Sequence, residues 1–101
     1  MDGSDKAPGD PRVCIVEDED NIALALDTVF AREGWRLTRH ADGAQALEAI
    51  RADPPDLVVL DVMLPTVSGY EICQQIRLDP ALSAMRILMM TARGNAVERR
   101  K

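Results

Sequence analysis

Acidic side chains follow two of the apolar segments of this sequence. The run Glu17–Asp20 comes directly after Val13–Val16, and Asp61 comes directly after Leu57–Leu60. No histidine, cysteine or lysine stands among these acids. Carboxylates gathered in one crevice repel each other, which raises some of their pKa values unless a hard cation lies between them. Oxygen ligands without nitrogen or sulfur favour Mg²⁺ or Mn²⁺ over zinc.

The same acids have a simpler interpretation at a helix start. Negative charge is favourable there because it interacts with the helix dipole, and we expect Asp20 to cap the helix that follows. Four acids are more than a cap needs, and Asp61 does not stand at a helix start. The sequence therefore favours a metal crevice.

A phosphoryl group is the substrate that such a crevice would suit. An aspartate beside a divalent cation can attack phosphorus, because the cation neutralises the phosphoryl oxygens. Thr91 and Ala92 follow a further apolar run, Ile87–Met90. The Thr91 hydroxyl could donate a hydrogen bond to a phosphoryl oxygen, although a lone threonine in this position is more often structural.

Hydrophobic periodicity predicts the elements that position these residues. Continuous apolar runs bounded by turns indicate buried strands, and stripes with a spacing of three and four indicate helices. The predicted strands are Val13–Val16, Trp35–His40, Leu57–Leu60 and Ile87–Met90, and the predicted helices are Asn21–Glu33, a helix beginning at Asp42, and Tyr70–Leu78. This alternation predicts an α/β fold with a parallel sheet covered by helices on both sides, and its site lies beyond the carboxyl ends of the central strands.

Local signals mark the helix ends. Asp42 with Gln45 three residues later is typical of a reciprocal helix cap, and Gly34 is placed to end the first helix in the left-handed conformation. The inward stripe of the first helix is predicted to be Ile22, Ala25, Leu26, Val29 and Phe30.

Composition excludes several classes of protein. The 101 residues are 47% hydrophobic and 29% charged, with a net charge of −5, which suits one globular domain. An acidic surface is unsuited to nucleic acid, and no apolar run is long enough to cross a membrane. Residues 1–11 are predicted to form a flexible tail before a domain over residues 12–101. Cys14 and Cys73 are expected to be buried, reduced thiols of a cytoplasmic protein.

Three segments together resemble the receiver domain of bacterial response regulators, the phospho-acceptor half of two-component signalling. They are CIVEDED at the first strand, LVVLDVMLPTVSG around the third, and ILMMTAR at the fourth. The resemblance covers Arg12 to about Arg100. It implies a flavodoxin-like, three-layer α/β/α fold with strand order 2-1-3-4-5.

The resemblance also implies roles for individual acids. Asp61 would be the phosphorylated aspartate and Asp18 a direct Mg²⁺ ligand. Glu17 would be the second acid of the pair, often acting through water, and Met63 would offer its backbone carbonyl to the metal.

Four further residues match the family pattern outside the acids. Thr91 would be the switch hydroxyl, and Ala92 the small residue that leaves room for phosphate. Pro65 and Gly69 would shape the loop after the third strand.

One part of the family pattern is not matched. Receivers have a fifth strand that ends in a lysine paired with the phosphoryl group, followed by a fifth helix, whereas this sequence stops at Lys101 within the expected fourth helix. We therefore expect a sheet of order 2-1-3-4 without that lysine, and a homodimer that uses the edge of the fourth strand.

The resemblance implies a function in signalling. The domain would take a phosphoryl group from a sensor histidine kinase or phosphotransfer protein and regulate an output domain or a downstream protein, without being an enzyme for external substrates. One alternative is a truncated receiver that only folds or binds. Another is a Mg²⁺-dependent phosphatase of the haloacid dehalogenase type, whose D-x-D-x-T pattern this chain departs from, because Met63 replaces the second acid.

Overall fold

The computed structural model describes residues 10–64 and 67–90, and within them four strands alternate with three helices. The elements are β1 (Arg12–Val16), α1 (Asp20–Arg32), β2 (Arg36–His40), α2 (Gly43–Ala52), β3 (Leu57–Asp61), α3 (Gly69–Leu78) and β4 (Arg86–Met90). The four strands and the three helices predicted within the described residues are confirmed, and their boundaries differ from the predicted ones by at most one residue.

The four strands form one parallel sheet in the order β2-β1-β3-β4. In the register of the central pairs, Val16 lies opposite both His40 and Leu60, and Asp61 lies opposite Met90. The carboxyl ends of all four strands therefore meet at one edge of the sheet. The predicted parallel sheet and its strand order are confirmed.

Helices cover both faces of the sheet, so the predicted three layers are confirmed. Between the sheet and helices α2 and α3 lies the larger cluster of buried residues, with Cys14, Val16, Ala46, Ile50, Val58, Leu60, Ile72, Ile76 and Leu82. On the α1 side the buried residues are Val13, Ile15 and Val59, against which Leu26, Phe30 and Trp35 pack.

Helix α1 packs on the sheet through only part of the predicted stripe. Ala23 is buried, and Leu26 and Phe30 pack against the core, which is an i, i+3, i+7 line. Ala25 and Val29 were predicted to face inward, but both are exposed. The prediction was wrong at these two positions because the face of α1 that meets the sheet is the one that carries Ala23, Leu26 and Phe30.

The helix ends follow their predicted signals with one exception. The Asp42 side chain accepts hydrogen bonds from the backbone N–H groups of Ala44 and Gln45, at 2.7 and 3.1 Å, and Gly34 has the predicted positive φ, 87°. Asp20 does not cap α1. Glu19 is the N-cap residue without a side-chain cap, and Asp20 is already helical.

The sheet is less covered at β4 than at the two central strands. The Leu88 side chain is 54% exposed on β4. At the other end of the chain, the Pro11 carbonyl accepts a hydrogen bond from the Arg36 N–H at 2.8 Å, so pairing with β2 begins one residue before β1. The expectations for residues 1–9, for the fourth helix and for Lys101 lie outside the described residues, and the homodimer stays a prediction.

Two further observations concern single features of the described part. No helix in it is long and apolar enough to cross a membrane. Cys14 and Cys73 are free thiols; Cys14 is buried and Cys73 half-buried. Burial raises the pKa of the Cys14 thiol, which makes it a poor nucleophile.

Candidate functional site

The structure brings Glu17, Asp18 and Asp61 together at the carboxyl edge of the sheet. Glu17 and Asp18 directly follow β1, and Asp61 is the last residue of the neighbouring strand β3. One carboxylate oxygen from each residue lies within 4.8 Å of those of the other two. Glu17 and Asp61 are completely buried, while Asp18 is half-buried. We call these three residues the acidic cluster.

The electrostatics of the acidic cluster centre on Glu17. Burial is the largest cause that raises the Glu17 pKa, and the carboxylates of Asp61 and Asp18 raise it further, while the Glu19 backbone N–H opposes them. That N–H donates to Glu17 Oε2 at 2.9 Å. The other oxygen, Oε1, is buried and has no hydrogen-bond partner in the described structure. A cation held between these oxygens would offset both the repulsion and the lost hydrogen bond.

The turn after β3 fixes the orientation of the Asp61 carboxylate. The Met63 backbone N–H donates to Asp61 Oδ1 at 3.0 Å, and the Val62 N–H donates to the Met90 carbonyl at 2.9 Å. Met63 therefore lies next to the acidic cluster, as predicted, with its side chain 58% exposed. Its predicted role as a carbonyl ligand stays a prediction.

Gly69 lets the start of α3 approach this turn closely. Its N–H donates to the Val62 carbonyl at 3.1 Å. A Cβ atom at residue 69 would lie well inside contact distance of the Asp61 carbonyl oxygen and 3.0 Å from the Val62 Cα. No side chain fits there without moving the backbone that carries Asp61. The predicted loop-shaping role of Gly69 stays a prediction.

The end of β2 holds the backbone on both sides of Glu17. The Glu17 N–H donates to the His40 carbonyl at 3.0 Å, and Arg39 Nε donates to the Glu17 carbonyl at 3.0 Å. The same guanidinium pairs with Asp20, with 2.9 Å between Nη1 and Oδ1. Sequence reasoning missed Arg39. One signal was available in the sequence. Arg39 is a base near the carboxyl end of a predicted strand, and the acidic run Glu17–Asp20 follows the carboxyl end of another predicted strand.

The remaining predicted site residues, Pro65, Thr91 and Ala92, lie outside the described residues. Of the acidic run after β1, Glu19 and Asp20 are exposed and stand at the start of α1. They are therefore not members of the acidic cluster.

Comparison with solved structures places this site within a known fold. The N-terminal domain of a response regulator receiver protein from Methanoculleus marisnigri JR1 is similar, with a TM-score of 0.77 and 35% identity over 87% of this chain and 72% of that one. The receiver domain of the sensor histidine kinase PA1611 from Pseudomonas aeruginosa PAO1, which was crystallised with a magnesium ion in its active-site cleft, gives a TM-score of 0.81 and 25% identity over 90% and 75% of the two chains.

Sequence comparison gives the same relationship. The transcriptional regulatory protein AfsQ1 of Streptomyces coelicolor is 39% identical over 88 residues, which cover 87% of this chain and 38% of AfsQ1. This chain thus spans less than two fifths of that relative. The family model of the response regulator receiver domain matches residues 13–101. The strand order, the site at the sheet edge and these matches agree, and the chain belongs to the response regulator receiver domain family.

Proposed function

We propose that this domain accepts a phosphoryl group on Asp61 from a histidine kinase or a phosphotransfer protein, in the presence of Mg²⁺ or Mn²⁺. The observation that carries the proposal is the acidic cluster, in which three carboxylates from the ends of two neighbouring strands have oxygens within 4.8 Å of one another. Two of the three residues are completely buried. Such an arrangement is costly without a cation.

The residues of the acidic cluster fit a hard divalent cation. Their donors are all carboxylate oxygens, and buried Oε1 of Glu17 has an unused acceptor position. Glu17, Asp18 and Asp61 would hold the ion, together with the Met63 carbonyl. When bound, the ion would neutralise charge on the phosphoryl oxygens.

The chemical step is a phosphoryl transfer to an Asp61 carboxylate oxygen. A new O–P bond forms as the N–P bond of the phosphohistidine breaks, and the electron pair of that bond stays on the histidine nitrogen, which takes up a proton. The Met63 N–H holds Asp61 Oδ1 at 3.0 Å and so fixes the carboxylate plane before the reaction. Thr91 would donate its hydroxyl to the incoming group, and Ala92 would leave space for it.

We further propose that phosphorylation regulates an output domain or a downstream protein. Among the relatives, MtrA of Mycolicibacterium smegmatis is a DNA-binding response regulator, and this chain covers 37% of it. The domain would therefore act as a signalling module in the cytoplasm and not as an enzyme on external substrates. No observation favours the phosphatase alternative, since Met63 occupies the position of its second acid.

Phosphorylation by acetyl phosphate tests the proposal. The 101-residue chain is incubated with acetyl phosphate and Mg²⁺, and its intact mass is measured. We expect one phosphoryl adduct in the wild type and none in Asp61→Asn, because the amide keeps the shape of the carboxylate and loses the nucleophile. Asp27→Asn, which changes an exposed aspartate of α1, is the matched control and should be modified like the wild type.

Three other outcomes would contradict the proposal. An undiminished adduct in Asp61→Asn would show that another residue is the acceptor. The absence of any adduct in the wild type would favour a domain that only folds or binds. Continuous release of phosphate from several phosphate esters would favour the phosphatase.

A further inference from the structure

We infer that Arg39 is a positioning residue for the acidic cluster: its guanidinium holds the turn that carries Glu17 and Asp18, and it thereby sets the affinity of the site for Mg²⁺. The inference rests on the proposed function only for the presence of the cation. The contacts that support it lie between β2 and the turn after β1, and they involve no residue that touches the phosphoryl group.

Arg39 contacts the peptide group that joins the first two members of the acidic cluster. The Glu17 carbonyl belongs to the peptide that joins Glu17 to Asp18, and Arg39 Nε donates to it at 3.0 Å. The preceding peptide is held by the His40 carbonyl, which accepts from the Glu17 N–H at 3.0 Å. Since both peptide planes around Glu17 are fixed, the direction in which the Glu17 side chain leaves the backbone is fixed as well, and so is the position of the Asp18 Cα atom.

The Arg39 guanidinium makes two contacts with the turn after β1. While Nε contacts the Glu17 carbonyl, Nη1 lies 2.9 Å from Asp20 Oδ1, so one planar group spans the turn from Glu17 to the first residue of α1. Nη2 is buried and has no hydrogen-bond partner in the described structure. A surface ion pair with Asp20, whose side chain is 90% exposed, contributes little by itself. The hydrogen bond to the Glu17 carbonyl is therefore the contact that organises the turn.

The charge of Arg39 and its hydrogen bond to the Glu17 carbonyl should affect Mg²⁺ affinity in opposite directions. A positive charge beside the acidic cluster repels a cation, so the loss of this charge alone would tighten Mg²⁺ binding. Loss of the Glu17 carbonyl contact instead lets the turn relax and weakens binding. Partners that orient metal ligands typically change metal affinity about 10- to 100-fold when they are mutated.

Mg²⁺ titration of the 101-residue chain by calorimetry separates these cases. We expect Arg39→Met to weaken Mg²⁺ binding about tenfold or more, and Arg39→Lys to weaken it as well, because an ammonium cannot contact the Glu17 carbonyl and Asp20 through one rigid plane. The matched control is Arg36→Met, since Arg36 is an exposed arginine of the same strand on the opposite face of the sheet. Arg36→Met should bind Mg²⁺ with the same affinity as the wild type. Unchanged or tighter binding in Arg39→Met would overturn the inference.

A measurement without metal keeps the inference separate from the proposed function. Hydrogen exchange of the Glu17 and Glu19 amides reports on the turn directly, because these amides donate to the His40 carbonyl and to Glu17 Oε2. In metal-free buffer Arg39→Met should speed both exchanges about tenfold, and unchanged exchange would overturn the inference even if the wild type bound no Mg²⁺. If urea unfolding shows that Arg39→Met does not fold, Arg39→Lys decides both measurements.

Discussion

The three carboxylates of the acidic cluster are alike in chemistry but differ in their surroundings. Glu17 is completely buried and already accepts a backbone hydrogen bond from Glu19 through one oxygen. Asp18 is half-buried, at the side of the cluster that faces solvent. A carboxylate that contacts an ion directly contributes its full charge, whereas one that acts through water contributes less.

The roles that the family resemblance implies for these two acids predict unequal effects of neutral substitutions on Mg²⁺ binding. Asp18→Asn should weaken binding about tenfold or more, equivalent to about 1.4 kcal/mol, because the proposed direct ligand would lose its formal charge at the ion. Glu17→Gln should weaken it less. Calorimetric titration of both variants measures the difference, and equal losses would count against the two assigned roles.

The sequence predicted the members of the acidic cluster and not the residue that supports them. A cluster of Asp61 with the run Glu17–Asp20 could be predicted because both follow apolar runs and the ends of parallel strands meet. The resemblance to receiver domains then singled out Glu17 and Asp18 from that run. Arg39 contacts Glu17 across 22 positions of sequence and through a backbone carbonyl. A contact to a backbone carbonyl does not depend on which residue stands at position 17. Residue types and their spacing therefore could not identify Arg39 as a partner of Glu17.

At the scale of the elements, the approach of α3 to the turn after β3 depends on Gly69. Gly69→Ala should lower the free energy of unfolding by about 1–3 kcal/mol, because the new Cβ forces the backbone apart. It should also slow phosphorylation of Asp61, whose carbonyl oxygen is the atom displaced. Urea unfolding and the rate of adduct formation with acetyl phosphate measure the two effects.

Gly34→Ala is the control for that prediction. Position 34 has a positive φ and no atom within 4 Å of a Cβ, so alanine there costs about 1–2 kcal/mol of backbone strain without a steric clash. It lies just before β2, at the opposite end of that strand from His40 and the site. Slower phosphorylation in Gly34→Ala as well would mean that the effect of Gly69→Ala reflects stability alone.

The elements themselves show where sequence patterns stop being decisive. The Asp42 cap was predictable because a cap depends on residues three positions apart. The inward face of α1 was not, since apolar residues occupy two overlapping stripes. Only the packing of the whole helix on the sheet selects Ala23 over Ala25 and Val29.

At the scale of the whole molecule, the two faces of the sheet are covered unequally. Among residues 10–64 and 67–90, nine buried residues form the cluster under α2 and α3, and three form the one under α1. Ile76→Ala should therefore lower the free energy of unfolding by about 2–5 kcal/mol, and Leu26→Ala, at a half-buried position of α1, by no more than about half as much. Urea unfolding of both variants tests this, and equal losses would mean that both faces contribute equally.

The complete burial of Asp61 has a consequence for how a signal could leave the site. In the proposed transfer, a donor would reach this carboxylate only in the fraction of molecules whose neighbouring groups have moved aside, so the rate of transfer would scale with that population. A phosphoryl group attached to Asp61 would add volume next to a carboxylate that is already completely buried. The modified domain would therefore favour the displaced arrangement, so the burial that shields the acceptor would also couple its modification to a change of shape.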